Sequence, residues 1–313
     1  ALAASLVSTS VFAGEVTVKG AAKMAVEGYT GDEQNAGKGF SMGNQLTFSG
    51  SGELDNGLTA SISFVLDQGD NETDTAAGAA LAPFDSHSVS ISSDALGTFK
   101  MHGEGGSSAT AALDTTAAGD IWDNFDNAAE TKGAIVKTST SGADIMVYTL
   151  PSMIDDLSIS ASYSPQQASA ASSTAYGLTY TGVEGLSVSY GQGDASTGVS
   201  TTEADQTVLK GSYAYGSLTV AYSNNDYQSA VASSDQETTS YKVSYTVTDE
   251  LSVSYGTEEI TLEGDTNDAE FESITAAYTS GGMTLSASMM ESTNAAHDGA
   301  SKIDDRDYWT LSL

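Results

Sequence analysis

From Glu15 onward the apolar residues of this chain fall at every second position, the period of a β-strand, and hardly ever at helical spacing. Leu157, Ile159, Ala161 and Tyr163 alternate with Ser158, Ser160 and Ser162, and Leu186, Val188 and Tyr190 alternate with Ser187 and Ser189. The same phrase returns as Leu218-Val220-Tyr222, Tyr241-Val243-Tyr245-Val247, Leu251-Val253-Tyr255 and Met283-Leu285-Ala287-Met289. One face of each segment is apolar; the other is Ser, Thr, Gly and an occasional Lys. The connections alternate in length. Tight turns of the hairpin kind stand at Asn56-Gly57, Ala95-Leu96-Gly97, Val183-Glu184-Gly185, Tyr215-Gly216, Thr248-Asp249-Glu250 and Gly281-Gly282. Longer polar stretches lie near 30–38, 68–85, 104–131, 165–173, 194–205, 225–236, 260–269 and 292–304.

This pattern predicts sixteen strands, at about 15–28, 40–53, 58–67, 86–93, 98–103, 133–150, 157–164, 174–181, 186–193, 206–214, 217–224, 237–247, 251–259, 270–279, 283–291 and 305–313. The segment 133–150 is too long for its neighbours, so a bulge at Ser141-Gly142 is expected there. An even strand number, with short turns at one rim and long loops at the other, predicts an all-β fold: a 16-stranded antiparallel transmembrane barrel with short periplasmic turns and long external loops. Lipid offers no partner to a free N–H or C=O, so such a sheet must close. The small polar residues could not pack a core, and they suit a water-filled lumen; the Leu, Val and Ile face would then meet hydrocarbon. Apolar series end in Tyr163, Tyr190, Tyr222 and Tyr255 at one rim and in Tyr180, Tyr245 and Tyr278 at the other, as two interfacial belts require.

Composition narrows the picture. The chain has 313 residues without a Pro-rich linker (3 Pro in all), which reads as one domain. It has no Cys, which excludes disulfide staples and thiolate metal sites. With 42 acidic and 10 basic residues the formal charge is −32, which argues against nucleic-acid binding. An acidic chain of this kind could be disordered, but its 15 Tyr at regular spacing count against that. Residues 1–13 (ALAASLVSTSVFA) look like the tail of a secretory signal peptide, with cleavage after Ala13 and the barrel over 14–313.

The stretch Asp144–Ser164 (DIMVYTLPSMIDDLSISASYS) resembles the strand–turn–strand segment after the third loop of general bacterial porins, particularly the alphaproteobacterial, Rhodobacter-like type. Val16-Thr17-Val18-Lys19-Gly20 is similar to the first strand of that family. The resemblance implies a passive diffusion channel for small hydrophilic solutes and ions in the outer membrane of a Gram-negative bacterium. It also implies a homotrimer, contact with outer-membrane lipid and lipopolysaccharide, and a third loop folded inward to narrow each pore. Two departures stand out. The chain ends Trp309-Thr310-Leu311-Ser312-Leu313 where the family commonly ends in Phe, and Arg306 is its one Arg where the family lines the pore with several.

The longest connection, 104–131, is the candidate constriction loop and carries Asp114, Asp120, Asp123, Asp126 and Glu130, with Trp122 and Phe125 among them. Alternation sends Lys19 and Lys23 inward on the first strand, Lys100 and His102 on the fifth, and Lys242 on the twelfth. Opposed carboxylates and ammoniums would set up a transverse field. The shortage of basic residues predicts a preference for cations. A second acidic cluster, Glu258, Glu259, Glu263, Asp265 and Asp268, followed by Glu270 and Glu272, offers hard oxygen ligands for Ca²⁺, though without EF-hand spacing; no other cofactor is expected. Catalysis is not expected. Gly39-Phe40-Ser41-Met42-Gly43 matches G-x-S-x-G but opens a strand with no helix after it, and His87, His102 and His297 lack metal-site spacing. The competing reading is a secreted acidic β-structured adhesin or calcium-binding surface protein; the Gly-rich calcium nonapeptide repeat is absent, and alternating turn and loop lengths oppose a uniform solenoid.

Overall fold

Two-residue periodicity builds a closed antiparallel barrel. The structure, a computed structural model, describes residues 16–30, 37–67, 84–125, 136–137, 141–165, 171–196, 203–229, 234–295, 297 and 305–313. The first five strands are β1 (Thr17–Thr30), β2 (Gly37–Glu53), β3 (Thr59–Asp67), β4 (Ser86–Ser93) and β5 (Gly97–Glu104). A two-residue pair, β6 (Gly106–Ser107) and β7 (Ser141–Gly142), closes the base of the third loop. The barrel resumes with β8 (Ile145–Thr149), β9 (Leu157–Ser164), β10 (Ser173–Tyr180), β11 (Leu186–Ser196), β12 (Glu203–Tyr215) and β13 (Leu218–Gln228). It ends with β14 (Gln236–Thr246), β15 (Leu251–Leu262), β16 (Ala269–Ser280), β17 (Met283–Thr293) and β18 (Arg306–Ser312). Sixteen of these strands form the barrel, each bonded to its neighbour in sequence, and β1 closes it against β18. Closure continues past the last strand residue, where Met24 and Leu313 exchange N–H···O bonds of 2.9 Å each way.

Fifteen of the strand positions match those expected from the alternation. The segment 133–150 does not. Among the described residues its barrel portion is Ile145–Thr149, and Ser141-Gly142 forms the small pair with Gly106–Ser107 rather than a bulge. Val136 and Lys137 lie outside any strand. Val136 packs against other apolar groups inside the barrel. The proposed signal segment, residues 1–13, lies outside the described residues.

Short turns demand tight geometry. Gly216 adopts φ +60° between β12 and β13. At Gly97, φ is +73° and an added Cβ would come within 2.2 Å of the Thr149 carbonyl oxygen, so only glycine is tolerated.

Register sorts the two faces. Thr17, Ser49, Ser63, Ser88 and His102 are successive cross-strand partners, as are Ser51, Ser61, Ser90 and Lys100. These serine rows share a face with Lys19 and Lys23. The opposite face carries Val18, Met24, Val26, Phe40, Met42, Leu46, Ile62, Val89 and Ile91, all exposed. Buried side chains cluster on the serine face instead, beneath the third loop, so that face is the interior. Outward tyrosines fall in two belts: Tyr163, Tyr222 and Tyr255 toward the long loops, and Tyr180, Tyr213, Tyr245 and Tyr278 toward the short turns.

Candidate pore constriction

The third loop, residues 105–125 of the described chain, does not extend into solvent. It crosses the inner wall from β9 to β1, and β9, β10, β12, β13, β14, β15 and β1 each provide a donor or acceptor. Three loop amides donate to inward serines: Ala109 N to Ser162 Oγ (2.9 Å), Ala117 N to Ser223 Oγ (2.8 Å) and Ala118 N to Ser240 Oγ (2.9 Å). Lysines take the loop carbonyls. Lys210 Nζ donates to Thr115 O at 2.6 Å and Lys242 Nζ to Ala118 O at 3.3 Å. A loop needs such partners because its peptide groups have no ladder of their own.

Glu258 is the hub. This β15 carboxylate is 2% exposed; it accepts the Thr116 hydroxyl and the Trp122 backbone N–H, the latter at 3.0 Å, and bonds the Ile121 backbone. Close approach also requires missing side chains on the wall. A Cβ on Gly177 would stand 2.7 Å from Ala109 O, and one on Gly256 would stand 2.8 Å from the Ala118 Cβ.

Beyond Glu258 the loop forms a single 3₁₀ turn, Ile121–Phe125, and becomes apolar. Ile121 and Phe125 join Val136, Ile260, Ala269, Phe271, Ala295 and Tyr308 in a buried cluster inside the barrel. The Phe125 and Phe271 rings lie 5.7 Å apart; Tyr308 stacks on Tyr29 at 4.5 Å and donates to Glu27 at 2.6 Å, while Tyr29 donates to Asn124 O. The interior is therefore not uniformly small and polar, as the alternation suggested. Where the described part of the loop ends against β15–β18, the inward residues are large and apolar and the lumen is filled on that side.

The predicted site residues divide. Asp114, Asp120 and Asp123 all lie on the docked loop; Asp126 and Glu130 lie outside the described residues. Asp120 Oδ1 accepts the Thr116 N–H at 2.9 Å, fixing the loop's own turn. Asp114 is pressed toward β12, where Gln206 bonds it and its Oδ2 is buried without a partner. Burial pushes its carboxyl up to about 7; the Gln206 hydrogen bond opposes this and the Asp120 charge adds to it. Lys19, Lys23, Lys100 and His102 face inward on β1 and β5, and His102 lies against Gly106 at the start of the loop. Lys242 faces inward on β14, but its ammonium bonds the loop backbone rather than a carboxylate.

Strand alternation splits the expected Ca²⁺ set: Glu258 is buried inside, while Glu259 on the same strand is exposed outside. Among the described residues no three His, Asp or Glu side chains are gathered to hold a metal. Sequence reasoning missed Lys210, Ser162, Ser223 and Ser240 as loop anchors. At Lys210 the adjacent apolar pair Val208-Leu209 hid the parity: Val208 is buried inside and Leu209 is 44% exposed outside. At Glu258 the parity is legible from Val253 and Tyr255, which alternate outward on the same strand.

A closed sixteen-stranded barrel whose third loop lies along its inner wall is the arrangement against which known proteins can be compared. The family model of Gram-negative porins matches residues 1–294. The chain belongs to the Gram-negative porin family. Among solved structures, a refined porin is similar over 96% of this chain and 99% of its own, with a TM-score of 0.68 and 19% identity. A mutant of Rh. blastica porin gives a TM-score of 0.65 at 13% identity, covering 96% of this chain and 99% of that one. A loop L8 deletion mutant of the Vibrio cholerae outer-membrane protein OmpT gives 0.66 at 13% identity, covering 95% and 98%. No curated protein matches by sequence. This porin is a passive channel of the Gram-negative outer membrane, and the comparisons give no support to the adhesin or calcium-binding reading.

Proposed function

We propose that this porin is a cation-preferring diffusion channel for small hydrophilic solutes, assembled as a homotrimer. The observation that carries the preference is the fate of the basic groups. Two of the ten basic residues, Lys210 and Lys242, are spent on loop carbonyls, while the docked loop carries Asp120 and Asp123 inside the barrel. Lys19, Lys23 and Lys100 stand on the other wall, so charge is separated across the lumen in the sense of a transverse field that orients polar solutes. Reversal potentials across a planar bilayer under a KCl gradient test this: cation-selective potentials are expected, and clear chloride selectivity would overturn it.

The trimer reading is supported by the outer surface. Residues 16–104 contain one tyrosine, Tyr29, and no tryptophan, and Tyr29 points inward, so β1–β5 present Val, Met, Ile and Phe without an outward tyrosine or tryptophan belt. A lipid-facing sector needs that belt, whereas a sector covered by neighbouring protomers does not. Cross-linking of cysteines introduced at Met42 and Ile91 is expected to yield trimers; exclusively monomeric product would argue against this face.

A further inference from the structure

The lumen face of β1 carries three charges of changing sign. Lys19, Lys23 and Glu27 share one parity, opposite to the exposed Val18, Met24 and Val26. Glu27 stands directly across from Thr310 on β18 and from Gly39 on β2. Its two oxygens differ. Oε2 accepts the Tyr308 hydroxyl at 2.6 Å, and Tyr308 stacks on Tyr29, whose own hydroxyl holds the third loop at Asn124 O. Oε1 has no bonded partner. Gly39 leaves the space beside it open, since a Cβ there would meet only Glu27 itself, at 3.7 Å from Cγ and 3.8 Å from Oε1. The carboxylate is thus fixed where the docked loop meets the open wall, with one oxygen left to the lumen.

The carboxylates around the loop are otherwise committed. Glu258 is buried beneath the loop and accepts bonds from it. Asp120 fixes its own turn, and Lys210 stands close enough to Asp114 and Asp120 to offset their charge. Asp123, exposed on the 3₁₀ turn, is the remaining rival. Among the described residues no lysine or arginine bonds Glu27; Arg306, two residues from Tyr308, is buried and engaged elsewhere. Lys23 is four residues away on a strand that rises about 3.3 Å per residue, so about 13 Å along it. That exceeds the screening length of about 8 Å in physiological salt.

We propose that Glu27 sets the cation preference of this channel, by offering Oε1 to cations that pass the open edge of the constriction. The assignment rests on the cation-preferring reading above and names the group behind it. The Tyr308 hydroxyl orients the carboxylate without neutralising it, because an O–H donor brings no net charge.

Cation-to-anion permeability ratios, taken from reversal potentials of the reconstituted full-length protein, test this. Glu27→Gln keeps an acceptor for the Tyr308 hydroxyl and removes the charge. The ratio is expected to fall about threefold near about 0.1 M KCl, and by less than about 1.5-fold near about 1 M, where screening is much shorter. Asp120→Asn and Asp123→Asn should each change it by less than about 1.5-fold. Tyr308→Phe releases the carboxylate without discharging it, and should raise current noise while keeping most of the ratio. Should Glu27→Gln not assemble a heat-modifiable barrel, Gly39→Lys sets an ammonium opposite the intact carboxylate and should give a similar fall. A ratio that neither variant moves would overturn the assignment, as would an equal fall in Asp123→Asn. An equal fall in Tyr308→Phe would also overturn it, because loop position rather than the Glu27 charge would then be responsible. Chloride selectivity of the unaltered protein would sink the underlying preference as well, whereas an unmoved ratio in a cation-selective channel would sink this assignment alone.

Discussion

The two halves of the barrel wall obey one alternation rule and use it differently. On β1–β5 the inward face is serine and lysine left open to the lumen, and the outward face is apolar without tyrosine. On β9–β18 the inward face is occupied: serines, lysines and Glu258 hold the third loop, and at its end Phe271, Ile260 and Tyr308 form a core with Phe125. Outside that core the polarity inverts. Glu259, Glu270 and Glu272 face out on the same strands that send Ile260 and Phe271 in. The covered half works like the inside of a soluble protein, where buried polar groups must be paired. The open half works like a wetted pore wall, where water pairs them. The same residue type therefore has opposite meanings: a lysine on β1 is a charge offered to solute, and a lysine on β12 is a bracket for a loop.

Four changes break or sharpen this contrast. The largest effect is expected from Glu258→Ala, which leaves the Trp122 N–H and the Thr116 hydroxyl without their acceptor inside the barrel. Loss of about 3 kcal/mol of loop docking is expected. It would be read as new protease cleavage within residues 105–125 and noisier single-channel current, with heat-modifiable migration kept. Quiet traces and an intact loop would show that the latch lies elsewhere.

Gly256→Leu fills the space that Ala118 occupies and should displace the loop at a cost of about 1–3 kcal/mol. The same substitution at Gly50, whose Cβ would meet only side-chain atoms at 3.7 Å and beyond, should leave single-channel conductance unchanged.

Charge removal should separate the walls. Lys19→Gln/Lys23→Gln/Lys100→Gln is expected to raise the cation-to-anion permeability ratio roughly twofold. Lys210→Gln should alter current noise more than reversal potential. A reversal potential that moves equally in both would erase the distinction between the two walls.

The smallest effect concerns pH. Docking holds the Asp114 carboxyl at about 7, above its ordinary 3.8, so the docked loop binds a proton that the free loop releases. Docking is then strongest below the ordinary value, weakens as pH rises through the interval to about 7, and is flat above it. Current noise should rise modestly from pH 5 to pH 8, and Asp114→Asn should remove that slope. A pH-independent wild-type trace would contradict the assignment.

Strand number, turn placement and the aliphatic belt were legible in the sequence because each is a local property. Leu-Ser-Val-Ser-Tyr at 251–255 states its two faces within five residues, and Gly97 or Gly216 marks a turn by what its own backbone must do. Tertiary structure alone decided where residues 105–125 lie, and through them the roles of Lys210, Ser223, Ser240 and Glu258. Their bonds join positions up to 142 residues apart. No local period encodes whether an inward side chain will meet water or another piece of chain; that depends on a loop finding, across the lumen, enough acceptors, donors and missing side chains to replace the water it displaces.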